Sequence, residues 1–152
     1  LISAITTGGL LQLGHWYEPR YFIPLAGMVI GNSMNAIALS LDRLFVELRD
    51  KREEVEQMLI FGADSQLAMR PALQAAVRTG MTPSINSMMS VGLVFIPGMM
   101  TGQILGGQAP VDAARYQIMI MLMIASSVAI GCGLVTTLVA RKCFSSTHQL
   151  KI

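Results

Sequence analysis

Amide and thioether side chains are the groups in this chain whose placement could do chemistry, and that chemistry would be the binding of a ligand. Asn32, Asn35 and Asn86 lie within long uncharged stretches, where an unpaired amide would cost several kcal/mol in hydrocarbon. Nine of the twelve methionines lie in such stretches, including Met99 and Met100, and thioethers suit soft metals. Hydrogen bonding between helices and adaptable packing are the alternative roles. These five residues are therefore candidates for a substrate path.

The ionisable groups that hydrolytic or metal-dependent catalysis needs are missing from the apolar stretches. The two histidines, His15 and His148, lie outside them, and no carboxylate lies within them. An intramembrane protease pair, a zinc cluster or a carboxylate proton relay is therefore not expected there. A Gly-rich phosphate-binding loop with Lys and Ser is also missing, so we expect this chain to bind no ATP and no other cofactor. We predict no catalytic residues, and the sequence leaves metal ligation open.

The elements that carry these groups are long apolar stretches typical of membrane-spanning helices. The chain has a mean hydropathy of +0.55 and 13% charged residues, against roughly 25% in soluble domains. Residues 23–41, 84–107 and 116–140 are long enough to cross a hydrocarbon core of about 30 Å, whereas residues 1–14 are too short.

We therefore predict an all-α integral membrane protein in the lipid bilayer. It is a helical bundle with three full transmembrane helices, one truncated N-terminal span and a cytoplasmic helical loop, all within one domain of residues 1–152. The net charge of +2 gives no reason to expect a nucleic acid partner.

The stretch at residues 84–107 is predicted to be one helix with a kink at Pro97. Proline has no N–H for the carbonyl one turn earlier, and Gly98 has no side chain to stiffen the break. Gly98, Gly102 and Gly106 recur every four residues, which predicts a bare face where another helix can approach closely. We predict that Pro97 and Gly98 form a hinge, and a packing kink is the alternative.

Residues 42–79 form the one substantial polar segment, with six of the eleven basic residues and seven of the nine acidic ones. The tail from Arg141 holds three more basic residues, and the two connections on the other side hold one each. By the positive-inside rule, the loop at residues 42–79 and the C-terminal tail are cytoplasmic.

This loop is predicted to fold as two short helices around a turn at Gly62 and Ala63. Apolar residues keep a helical spacing before Gly62, which is a plausible helix stop. Asp64 or Ser65 can cap the second helix, which is predicted to end at Gly80. Alone, this pattern fits either a docking element or an amphipathic hairpin that lies on the membrane.

Several stretches resemble the FetB-type permeases, the membrane subunits of a bacterial ABC exporter associated with iron, whose plant relatives are linked to aluminium tolerance. The similarity runs over nearly all of the chain and matches the C-terminal half of such a permease. The stretches are IPLAGMVIGNSMNAIALSL at 23–41, MLIFGADSQLAMRPALQAAVRTGMTPSINS at 58–87, VGLVFIPGMMTGQILGG at 91–107 and PVDAARYQI at 110–118.

The resemblance implies a permease that exports iron or a related metal across the inner or plasma membrane. Such a permease works as a homodimer with two ATPase subunits, and the partner hydrolyses ATP. Glu56 with Gly62 and Ala63 looks like a divergent form of the Glu-Ala-Ala and Gly signature by which importer-type ABC permeases dock on their ATPase. With the adjacent Asp64, these residues form the predicted docking site.

Other classes of function fit the residues too. A membrane-embedded enzyme would have its active groups in the part of the protein that precedes this chain, and a structural membrane subunit would need none. An ABC permease for a non-metal substrate is a further alternative, because the sequence contains no recognisable cluster of metal ligands.

Overall fold

The computed structural model describes residues 19–92 and 96–143, with side chains from residue 23 onward. The regular elements of this part are all helices, in agreement with the predicted all-α class. In chain order they are α1 (Pro19–Asp50), α2 (Arg52–Ile60), α3 (Ser65–Ser90), α4 (Gly98–Leu105) and α5 (Pro110–Lys142). The predicted partial span at residues 1–14 and most of the C-terminal tail lie outside the described residues.

Two of the described helices are long and apolar enough to cross a membrane, namely the Ile23–Asp50 part of α1 and the whole of α5. Pro110 begins α5, where its missing N–H costs no hydrogen bond, and Asp112 lies in the first turn. Basic residues lie in the last turn of α5, so both ends complement the helix dipole. Helix α1 begins at Pro19, and Pro24 lies inside it.

The single kinked helix predicted over residues 84–107 is wrong. The chain leaves the helical conformation after Ser90, and the eight-residue α4 begins at Gly98. Pro97 precedes α4 with φ −59° and ψ 141°, and its carbonyl accepts the amide of Thr101 at 3.0 Å. The missing N–H of proline thus marks a helix start here, where no intrahelical donor is needed. The hinge at Pro97 and Gly98 stays a prediction.

The turn predicted at Gly62 and Ala63 is confirmed, but the predicted end of the second helix at Gly80 is wrong. Helix α3 continues through Gly80 and Pro83 as far as Ser90. Gly80 is fully surrounded: an added Cβ would collide with the hydroxyl of Ser40 and lie 2.7 Å from the carbonyl oxygen of Ala36. Glycine therefore serves here as a close contact between helices and does not end α3.

The chain divides into two compact units, and α1, α3 and α5 each contribute to both. The first unit comprises Leu1–Ser33 and Pro83–Ser127, and the second comprises Met34–Thr82 and Val128–Ile152. The core of the first unit contains the buried Leu25, Ile120 and Met123. The core of the second unit contains Leu44, Leu48, Val55, Ala68, Met69, Ala72, Ala76, Ala140 and Cys143.

Candidate functional site

An apolar groove of about 410 Å³ opens on the second unit where α2 turns into α3. Phe61 beside the turn is 89% exposed, and the adjacent Ile60 is 82% exposed. Large apolar side chains that the rest of the chain leaves uncovered indicate a surface that another molecule covers. We call this feature the turn groove, and its lining consists of Met58, Phe61, Ala63, Leu67, Arg70, Pro71 and Gln74.

The backbone around Gly62 gives the turn groove its shape. Gly62 has a φ of +86°, a conformation that glycine adopts without the steric cost of a Cβ. The amides of Gly62 and Ala63 donate to the carbonyls of Leu59 and Met58, each at 3.0 Å, which is the Schellman pattern of helix ends. On the opposite side, Val55 is buried in the core of the second unit. The side of the turn near Val55 is therefore held by the core, and the side that carries the turn groove is uncovered.

The predicted docking residues take different places around this turn. Ala63 lines the turn groove, and Gly62 makes the bend that opens it. Asp64 starts α3, because its carbonyl accepts the amide of Leu67 at 2.9 Å and that of Ala68 at 3.0 Å. Asp64 therefore occupies the position immediately before α3, and its backbone accepts the first hydrogen bonds of that helix.

Glu56 does not line the turn groove. Its carboxylate accepts a hydrogen bond from Arg52 Nε at 2.8 Å, in an ion pair on the exposed side of α2. The apolar lining residues Phe61, Leu67 and Pro71 were not predicted from the sequence. The available signal was their type, because these are apolar residues placed around the turn of an otherwise charged loop.

A polar cavity of about 180 Å³ lies within the first unit. Asn32 is the one predicted path residue among its lining residues. The side-chain amide of Asn32 donates to the carbonyl of Met28 at 2.8 Å, which leaves its oxygen available as an acceptor. We call this feature the polar cavity, and its lining consists of Asn32, Ser84, Ser87, Met88, Met121, Ile124 and Ala125.

The serine hydroxyls of the polar cavity differ in their hydrogen bonding from the other hydroxyls on α3. Thr79, Thr82 and Ser90 of α3 each donate to the carbonyl four residues earlier, at 2.8 to 2.9 Å. Ser84 and Ser87 make no such bond within the described part of the chain, although they share this helix. Hydroxyls in helices commonly bond to the preceding turn, so these two remain free to bind a ligand.

The other predicted path residues lie elsewhere. Met99 packs against the core of the first unit, and Met100 is half-buried. Asn35 and Asn86 are exposed on this chain, as is Asn32 at the rim of the polar cavity. Their role in a substrate path stays a prediction.

A pair of serines makes a polar contact between helices. Hydrogen bonding of this kind was the alternative role of the asparagine amides. The hydroxyls of Ser33 and Ser127 lie 3.1 Å apart in the first unit. The spacing of Ser84, Ser87 and Met88 places all three on one face of α3. This spacing was the sequence signal for the lining of the polar cavity.

The described residues contain no group of three or more His, Cys, Asp or Glu side chains that could hold a metal ion. Cys132 and Cys143 are free and buried, and burial raises the pKa of the Cys143 thiol, which disfavours the reactive thiolate. On α4, a Cβ added at Gly98 or Gly102 would meet no described atom within 4 Å. The predicted close approach of another helix to this face is therefore not made by the described residues.

Comparison with known proteins finds relatives along the whole chain. The family described as an uncharacterised protein family, UPF0014, matches residues 1–144. A UPF0014 membrane protein of Synechocystis is 39% identical over 143 residues, which cover 94% of this chain and 55% of the relative. The probable iron export permease protein FetB of Escherichia coli is 34% identical over 136 residues, which cover 90% of this chain and 52% of the relative.

A plant protein gives a similar match. The protein ALUMINUM SENSITIVE 3 of Arabidopsis thaliana is 32% identical over 135 residues, which cover 89% of this chain and 50% of the relative. The chain thus spans about half the length of the curated relatives described here. No solved structure matches the chain.

Proposed function

Because this chain belongs to the UPF0014 family, we propose that it is part of the membrane permease of an ABC-type transporter that exports iron or a related metal from the cytoplasm. A separate ATPase subunit hydrolyses ATP, and two permease chains work together in the inner or plasma membrane. The loop at residues 42–79 and the tail from Arg141 face the cytoplasm. The name of the Escherichia coli relative supports the transport role, and the apolar helices α1 and α5 support the membrane location.

The turn groove is the observation that carries this proposal. It lies in the one large polar segment of the chain, which is where a soluble ATPase subunit can reach a membrane protein. Burial of a side chain such as Phe61 against a partner is worth about 1.5–3 kcal/mol. A rigid turn that presents such an anchor suits a contact that must survive the motion of the partner.

Helix α3 provides a route from the ATPase contact to the membrane. It contains the groove residues Leu67 and Pro71 near its start and the cavity residues Ser84 and Ser87 near its end. Its 26 residues correspond to a length of about 39 Å. A displacement of the docked end can therefore be transmitted along one continuous helix.

We propose that the polar cavity is part of the cargo path. Asn32, Ser84 and Ser87 offer oxygen atoms, and Met88 and Met121 offer thioethers. None of the lining residues is ionisable, so a metal cation in this cavity would have to keep part of its own ligand shell to balance its charge. Metal is cargo in this scheme.

The test is the pair of substitutions Phe61→Ser and Ile60→Ser in the full-length permease, reconstituted with its ATPase subunit in liposomes. Both side chains are highly exposed, but only Phe61 lines the turn groove. We expect Phe61→Ser to lower ATPase co-purification and metal export at least tenfold, while Ile60→Ser keeps both near the wild-type level. Wild-type ATPase stimulation and export in Phe61→Ser would refute docking through the groove.

A further inference from the structure

Two arginines on α3 have no acidic partner in the described part of the chain. Arg70 and Arg78 are exposed and form no ion pair. By contrast, Arg43 and Lys51 both pair with the buried Glu47, and the distance from Lys51 Nζ to Glu47 Oε2 is 3.1 Å. The loop therefore neutralises some of its cations and leaves Arg70 and Arg78, like Arg49 on α1, without an ion pair among the described residues.

The sequence of α3 explains why these arginines are unpaired. The helix has no Asp or Glu from Ser65 to Ser90, so neither arginine can pair with a residue three or four positions away. Arg70, Gln74 and Arg78 are spaced four residues apart and share one face of the helix. The two arginine Cα atoms are separated by about 12 Å along the helix axis.

This face is continuous with the turn groove. Arg70 and Gln74 line the groove, and both also line a second shallow depression together with Leu73, Val77 and Arg78. The surface of the second unit thus changes from apolar at the turn to basic along α3. We call Arg70, Gln74 and Arg78 the basic strip.

We propose that the basic strip extends the docking surface and pairs with acidic side chains on the ATPase subunit, so that it determines which ATPase the permease accepts. The inference rests on the proposed function, because it assumes an ATPase docked at the turn groove. Each guanidinium can bind one carboxylate through two parallel hydrogen bonds. Charge pairs at the edge of an apolar contact mainly raise the association rate and exclude wrong partners.

The position of the strip favours a protein partner over an anionic lipid, because the strip begins in the wall of the turn groove, which the ATPase subunit covers in the proposed complex. Each of the two arginines can bind one carboxylate. The ATPase surface that meets the strip should therefore carry at least two acidic residues.

The experiment measures the Kd between the full-length permease and its ATPase subunit at low and high salt, in nanodiscs of neutral lipid. The variants are the double charge reversal Arg70→Glu with Arg78→Glu, the single reversals, and Arg49→Glu as control. Arg49 is an exposed arginine without an ion pair in the same unit, and it lines neither depression. We expect the double reversal to weaken binding at least tenfold at low salt and to remove most of its salt dependence. Arg49→Glu should change binding less than twofold.

A second arm distinguishes a lost charge contact from a misfolded loop. Reversal of acidic residues on the ATPase surface should restore binding to the double variant, and the melting temperature of the permease should stay at the wild-type value. A double variant that binds with wild-type affinity and salt dependence overturns the inference. The inference is also overturned if the double variant keeps its ATPase affinity but its recovery from phosphatidylglycerol nanodiscs falls. In that case the basic strip binds lipid.

Phe61→Ser in the same assay separates this inference from the proposed function. If Phe61→Ser weakens binding and the double reversal does not, docking at the groove stands and the basic strip has no part in it. If neither change weakens binding, both the docking proposal and the inference fail.

Discussion

Replacement of Gly80 by alanine tests a close helix contact in the second unit. Gly80 lies in the interior of α3 and is buried, and an added Cβ would lie 2.7 Å from the carbonyl oxygen of Ala36 and 3.0 Å from the sulfur of Cys132. It would also collide with the hydroxyl of Ser40, which is fully buried. The Ala36 oxygen belongs to the backbone of α1, so it can move only if that helix shifts.

Two effects of opposite sign decide how much Gly80→Ala changes the free energy of unfolding. Alanine is favoured over glycine in a helix interior by about 1 kcal/mol. An extra methyl group in a well-packed core costs typically about 1–3 kcal/mol, and the contact with a backbone oxygen places Gly80→Ala at the upper end. We therefore expect a net loss of about 1–2 kcal/mol in the free energy of unfolding.

Gly133 supplies the matched control. It is also an interior helix position in the second unit, but a Cβ added there would meet no described atom within 4 Å. Gly133→Ala should gain up to about 1 kcal/mol from helix propensity alone. The two glycine substitutions are thus expected to shift stability in opposite directions.

The assay is thermal unfolding of the full-length permease in detergent. The exposure of the buried cysteines is the signal that reports unfolding. Gly80→Ala should lower the melting temperature by several degrees, and the added substitution Ser40→Ala should recover part of the loss because it removes the clashing hydroxyl. The reasoning is refuted if Gly80→Ala unfolds at or above the temperature of Gly133→Ala.

Three further predictions concern transport. Gly62→Val places a β-branched residue at a φ of +86°, at a cost of about 1–3 kcal/mol, so ATPase stimulation should fall while membrane insertion stays normal; normal stimulation would contradict it. Ser84→Ala combined with Ser87→Ala should lower metal export more than expression, and unchanged export would exclude a cargo role for these hydroxyls. Pro97→Ala restores no bond inside a helix, because Pro97 precedes α4. Lower turnover at an unchanged melting temperature would support a hinge there, and wild-type turnover would refute it.

Local chemistry made the α2 turn predictable from the sequence. Gly62 follows a run with helical spacing, and the backbone pattern that ends α2 depends only on the six residues from Met58 to Ala63. The end of α3 was not predictable in this way, because Gly80 and Pro83 are both poor helix formers by local rules. The contact of Gly80 with Ala36 overrides those rules, and a contact across 44 positions leaves no local signal.

Proline chemistry alone was ambiguous at Pro97. A missing N–H fits both a kink within a helix and the residue before one, and the end of α3 at Ser90 decides between them. The polar cavity was predicted only through Asn32. Ser84 and Ser87 were missed because a serine in a helix normally bonds to the preceding turn, and the sequence does not show which hydroxyls fail to do so.

The helix that the sequence divided at Gly80 is the one that connects the proposed docking surface to the proposed cargo path. Had α3 ended there, Leu67 and Ser84 would lie on separate helices, and motion at the turn groove could be absorbed by the connection between them. Because α3 runs without a break from Ser65 to Ser90, Leu67 and Ser84 belong to one helix. At Gly80 this helix lies directly against the backbone of α1, because glycine has no side chain to separate them. We infer that a larger side chain at position 80 should reduce coupling between ATP hydrolysis and export even in a stabilised background, whereas Gly133→Ala should leave that coupling intact.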